Sequence, residues 1–351
     1  MVVTGLKLFL PSGASVLTRE RMAHLHPEAA KWQLYELENR EDHLKEIDIS
    51  DGGNVRTRLV HWADETAARE RFAEPIHSVQ ELMPEAEIAL LSPAEIAFRC
   101  HGLEFARARL SHLPGSLRIA PEVVFGGGAQ ERVLEEKNAA LFRQLVHSVG
   151  EVRHSEGPRD HVLWRMHPER WLESLVTQDV STVDERLDAD CVYSQVPAFS
   201  ASDRAMIDVL TVTRDGRLAV VELKADEDIH LPLQGLDYWS RVAWHHARGE
   251  FQRFGYFQGR ELSSESPLLF LVAPALHVHP ATDILLRYIS TESTGKSWAW
   301  TKGGGMESGR CSASGRIRFH RRKAERKPNS REPADPHLIG QAPSRRRRST
   351  S

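Results

Sequence analysis

The run Leu218-Ala219-Val220-Val221-Glu222-Leu223-Lys224-Ala225 is apolar on both faces of a strand except at Glu222 and Lys224. A second strand-like run, residues 205–213, holds one acid, Asp208, fourteen residues before Glu222. Burying a carboxylate or an ammonium costs several kcal/mol unless it is paired or bound to a metal. Three ionisable groups converging on one sheet therefore need a partner. A divalent-metal phosphodiesterase site supplies one.

The connection between the two runs decides whether the groups can meet. It reads Arg214-Asp215-Gly216. A two-residue turn would put Asp208 and Glu222 on opposite faces. A three-residue turn with Gly216 left-handed pairs Thr213 with Arg217 and sets Asp208 opposite Glu222. The two-residue period of a strand then keeps Glu222 and Lys224 on one face. The metal reading requires the three-residue turn.

The neighbourhood of this hairpin reads as an α/β unit with a mixed sheet, in the order α-β-β-β-α-β-α. A helix is expected over 168–176, with Pro168 near its start. A strand follows at 191–196, then the two runs above. Pro232 opens a helix to about Gly249, residues 267–272 form a buried strand, and 281–289 form a last helix. Residues 1–155 alternate helical and strand-like segments and read as a separate α/β domain. Helices are expected there over 20–37 and 129–149, with strands at 86–91 and 116–124. From about 291 Gly, Ser, Arg and Pro dominate, which predicts either a disordered basic tail or the product of a reading-frame shift near Ser297.

The 351 residues suffice for two domains and that tail. The net charge of −3 hides an asymmetry: 15 Lys/Arg against 5 Asp/Glu in 291–351, and 31 against 44 in 1–290. An acidic body does not point to tight nonspecific binding of nucleic acid. Three dispersed cysteines form no CxxC pair, no run approaches the roughly 20 apolar residues of a membrane span, and the amino terminus lacks a signal pattern. A cytoplasmic protein is expected. The histidines at 245–246, 277 and 279, and 61 lack accompanying ligands and are set aside.

The hairpin and its flanks resemble the PD-(D/E)XK nuclease superfamily over roughly residues 160–290: a helix with an acid, an Asp on one strand, then Glu-x-Lys on the next, here Asp208 and Glu222-Leu223-Lys224. The Pro of the motif is absent, since Ile207 precedes Asp208. The resemblance implies a restriction-endonuclease-like core and a Mg²⁺- or Mn²⁺-dependent hydrolase of nucleic-acid phosphodiesters, DNA first. It implies Asp208 and Glu222 as metal ligands, assisted by Glu173 on the first core helix. Lys224 would orient the water and stabilise charge on phosphorus. Gln234 would face the site from the following helix. A catalytically inactive, nuclease-fold binding or scaffold protein is the alternative. Oligomeric state is open, a homodimer being one arrangement the chain allows.

Overall fold

The computed structural model describes residues 4–38, 43–50, 57–112, 115, 117–126, 131–200, 204–274, 277–290 and 298–303. It is a mixed α/β architecture with sheets flanked by helices. In chain order the first elements are β1 (Gly5–Pro11), α1 (Val16–Met22), β2 (Lys31–Glu38), β3 (His43–Ile47) and β4 (Thr57–Arg58). Next come α2 (Glu65–Arg71), α3 (Ala73–Leu82), β5 (Glu87–Ser92), β6 (Glu95–Cys100), β7 (Leu103–His112), β8 (Ile119–Phe125), β9 (Arg132–Val133) and α4 (Ala139–Val152). The remainder is α5 (Val162–Arg165), α6 (Pro168–Gln178), β10 (Leu187–Ser200), β11 (Arg204–Thr213), β12 (Leu218–Leu223), α7 (Leu231–Ala247), α8 (Glu250–Arg253), β13 (Leu268–Pro274), α9 (Thr282–Tyr288) and β14 (Trp298–Gly303).

Three sheets form. Strands β1, β2 and β3 make a small one, and β5 to β9 an antiparallel five-stranded one. The third, six-stranded, runs β14-β13-β12-β11-β10-β4 and holds the hairpin near its centre. In it β12 pairs antiparallel with β11 and parallel with β13. Every residue of β12 is buried, as a central strand covered on both faces requires. Leu231, Leu236, Trp239 and Val242 of α7 pack with Leu210, Val212, Leu218 and Val220 on one face. Val176 of α6 packs with Val209, Ala219, Val221 and Leu223 on the other.

The residues read as a separate amino-terminal domain contribute two sheets of their own, and β4 to the third. They also touch the hairpin unit directly: Arg21 pairs with Asp237 at 2.6 Å, and Leu25 bridges to Ile289.

Two expectations are corrected. Residues 20–37 do not form one helix. Helix α1 stops at Met22, and 31–38 form β2, parallel to β1. Pro27 interrupts the stretch, and burial within Lys31–Glu38 follows a two-residue rhythm in which Leu34 and Glu36 point inward. The helix expected over 129–149 begins only at Ala139. A capping box between Glu135 and Asn138 and a short 3-10 turn precede it.

Six residues of the stretch read as a tail, Trp298–Gly303, pair in parallel with β13 as an edge strand. The basic tail from 304 onward lies outside the described residues. Among the described residues no helix is long and apolar enough to cross a membrane, and Cys100 and Cys191 are free thiols.

Candidate metal-dependent active site

The turn joining β11 to β12 is the three-residue one. The Thr213 amide donates to the Arg217 carbonyl at 2.8 Å, and Gly216 has φ +88°. A side chain at 216 would lie 2.3 Å from the Glu261 carbonyl oxygen, so glycine is required for space as well as conformation. The register runs Val212↔Leu218 to Val209↔Val221, and continuing it sets Asp208 opposite Glu222.

Beyond Val221 the Asp208 side chain replaces the ladder. Its Oδ2 accepts the Leu223 amide at 2.9 Å. Glu222 continues the row Leu218, Val220 that faces α7. It is fully buried, and among the described residues neither carboxylate oxygen has a hydrogen-bond partner. The Lys224 ammonium stands 3.6 Å from Glu222 Oε1 and 3.7 Å from Glu169 Oε1, within ion-pair range of both.

The third acid arrives from α6. Pro168 starts that helix, after His167 takes a left-handed conformation, and Glu173 projects from it with 5% of its surface exposed. Its Oε2 accepts two bonds at 2.8 Å, from Arg170 Nη1 and from Gln195 Nε2. The same Gln195 nitrogen lies 3.4 Å from Asp208 Oδ1. Gln195 thus links an acid on a helix to an acid on a strand.

Burial governs the electrostatics. It raises the Glu173 carboxyl to about 7, against the opposing pull of Arg170, and Asp208 adds to the rise. Burial raises Asp208 too, opposed by the Leu223 amide and by Lys224. Glu222 rises well above the usual carboxylate range, first through burial and then through Asp208. Each acid is made harder to ionise by its surroundings. A cation among them would reverse that cost.

Gln234, at the start of α7, donates to the Tyr238 hydroxyl at 3.2 Å. Burial pushes the Tyr238 phenol up to about 12, and the charges of Glu222 and Asp208 contribute. The Gln234–Tyr238 pair therefore borders the carboxylates. Four participants went unrecognised in the sequence: Glu169, Arg170, Gln195 and Tyr238. Glu169 and Arg170 share the first turns of the helix that carries Glu173, which was the one available signal. Gln195 sits in a strand with nothing in its neighbours to mark it.

The residues present fit a hard divalent cation in one respect above others: a buried carboxylate with neither oxygen hydrogen-bonded among the described residues, beside Asp208. Among the described residues, no three His, Cys, Asp or Glu side chains already stand in metal-holding geometry. Glu173 Oε2 is taken by Arg170 and Gln195, and Asp208 Oδ2 by the Leu223 amide. The histidine set aside at 245 is occupied as well, its ring nitrogens meeting Glu250 at 2.5 Å and Thr57 at 3.0 Å.

No protein-family model and no curated protein matches the chain. Solved structures similar to it include a repair endonuclease from Pyrococcus abyssi. That match has 16% identity, covers 62% of this chain and 65% of that one, and has a TM-score of 0.24. Another is the EndoMS–dsDNA2 complex, at 12% identity over 72% of this chain and 100% of that one, with a TM-score of 0.25.

Proposed function

We propose that the protein is a metal-dependent nuclease that hydrolyses nucleic-acid phosphodiesters, with DNA the substrate class implied by its likeness to the PD-(D/E)XK superfamily. One observation carries the reading: Glu222 is buried with two oxygens that no described donor meets, and Asp208 and Lys224 stand beside it. A carboxylate so placed gains from a further cation, because among the described residues no donor stands within hydrogen-bond distance and Lys224 reaches only ion-pair range.

Asp208 and Glu222 would hold Mg²⁺ or Mn²⁺, with Glu173 as a third oxygen donor. Such an ion, when bound, neutralises phosphate charge and makes water a better nucleophile near neutral pH. The chain's own contribution follows from its placement. Lys224, only 12% exposed and within ion-pair range of two glutamates, would present its ammonium to the reacting phosphate. The Leu223 amide fixes the orientation of Asp208. Gln234, bonded to Tyr238, would border the acids from the α7 side.

The test is cleavage of duplex DNA, single-stranded DNA and RNA with Mg²⁺ or Mn²⁺, alongside Asp208→Ala and Lys224→Ala. The wild type is expected to cut and each variant to lose about 10²-fold or more in rate. Equal activity in all three proteins would overturn the reading.

A second reading is a nuclease-fold binding protein without catalysis. That no three acids stand in metal-holding geometry among the described residues favours it. The two separate on Mn²⁺ titration, which the binding protein would leave flat.

A further inference from the structure

Gln195 has φ +53° inside a strand, a left-handed conformation that strains a residue with a side chain. Continuing the β10–β11 register sets it opposite Asp208, between the pairs Ser194↔Val209 and Val196↔Ile207. Both strands lose their two-residue rhythm at this level. Tyr193 and Val196, three apart, belong to the same cluster on the α7 face. Ile207 and Leu210, also three apart, belong to it too, while Val209 between them packs on the α6 face. A regular strand would send residues three apart to opposite faces.

This paired change of phase has a consequence for the acids. Glu173 comes from α6, on one side of the sheet, whereas Glu222 follows the row facing α7. The Gln195 amide joins the first of these to the hairpin, with one nitrogen 2.8 Å from Glu173 and 3.4 Å from Asp208, the residue that faces Glu222. Backbone strain and a two-acid contact coincide at one residue.

We propose that Gln195 is a positioning residue for the carboxylate cluster, held in a left-handed turn of the strand so that its amide draws Glu173 to Asp208 and thereby sets the affinity for a divalent cation. The proposal rests on the metal reading above and assigns a role to a side chain which touches the acids and not the reacting atoms.

The experiment is Mn²⁺ titration by calorimetry, with thermal melting of the metal-free protein, on wild type, Gln195→Gly and Gln195→Ala. Glycine takes a positive φ without strain, so Gln195→Gly removes the amide while relieving the backbone. The expected result is Mn²⁺ affinity lower by about 10-fold or more in both variants, with the glycine variant melting at or above the alanine one. A merely structural role would lower the melting temperature and leave affinity intact, and that result overturns the proposal. Wild-type protein that binds no Mn²⁺ overturns the metal reading and this proposal with it. Binding by wild type with equal affinity in Gln195→Gly overturns this proposal alone.

Discussion

Arg153 and Glu222 are both fully buried charges, and the fold treats them in opposite ways. The Arg153 guanidinium donates to the carbonyls of His101, Leu163, Trp164, Met166 and His167, and lies 4.4 Å from the Trp171 ring. No carboxylate is needed, because five backbone dipoles replace its hydration. Gly102 belongs to the same clasp. Its φ is +71°, and a side chain there would lie 2.0 Å from the Arg170 carbonyl oxygen. Glu222 has no equivalent: two oxygens, no donors, and a lysine at ion-pair range only. A buried charge whose hydrogen bonds are complete holds a structure together. One left incomplete is a cost the fold bears, and such costs gather at functional sites.

Exchanging each charge for a neutral side chain breaks or sharpens this contrast. Glu222→Gln is expected to lower metal-dependent cleavage by about 10³-fold, while the metal-free protein melts at the same temperature or higher. Arg153→Met should do the reverse to stability. It strands five carbonyls and costs about 3 kcal/mol or more in denaturant unfolding. If Glu222→Gln melts far below wild type, the acid is structural and the contrast fails.

Next in size is the pH dependence. The Glu173 carboxyl is raised from 4.5 to about 7, so the folded state holds a proton that the unfolded chain has released between those values. Stability of the metal-free protein is therefore fully present below about pH 4.5, declines as pH rises toward 7, and levels off above it. The contribution is on the order of 3 kcal/mol. Raised Asp208 and Glu222 act in the same direction. Urea unfolding at pH 5 and pH 8 measures the decline, and Glu173→Gln should flatten it between 4.5 and 7. A wild-type protein equally stable at both pH values would mean the acids are not desolvated as described.

The smallest effect belongs to Glu169, half-exposed and 3.7 Å from Lys224. Glu169→Gln should change stability by less than about 1 kcal/mol, as a partly solvated pair does. It should change cleavage only a few-fold. A loss comparable with that of Lys224→Ala would move Glu169 into the site proper.

The hairpin is legible in the sequence itself. Residues 218–223 are apolar at every position but Glu222, and Arg214-Asp215-Gly216 offers glycine where a left-handed residue is needed. Those signals are local: strand period and turn chemistry act within a few residues. The reading failed where a local signal was weak or crossed by another. At 20–37 a helix-like spacing of apolar residues masked Pro27 and the strand beyond it. At 298–303 a six-residue strand was too short to stand out from its Gly- and Ser-rich surroundings. The partners of the acids were not legible at all. Gln195 meets Glu173 across 22 residues, and nothing local in a strand reports a positive φ at a glutamine.

The order of residues alone determined a central strand buried on both faces, a tight turn before it, and two acids and an amine brought to one end. Those follow from side-chain alternation and from the sterics of a single glycine. Only the tertiary structure decided that Glu173 is capped by Arg170 and Gln195, that Asp208 spends an oxygen on a backbone amide, and that Glu222 is left with none of these. Hydrogen-bond completion depends on how α6, β10 and α7 pack around the hairpin, and contacts between segments distant in the chain leave no periodic trace in it.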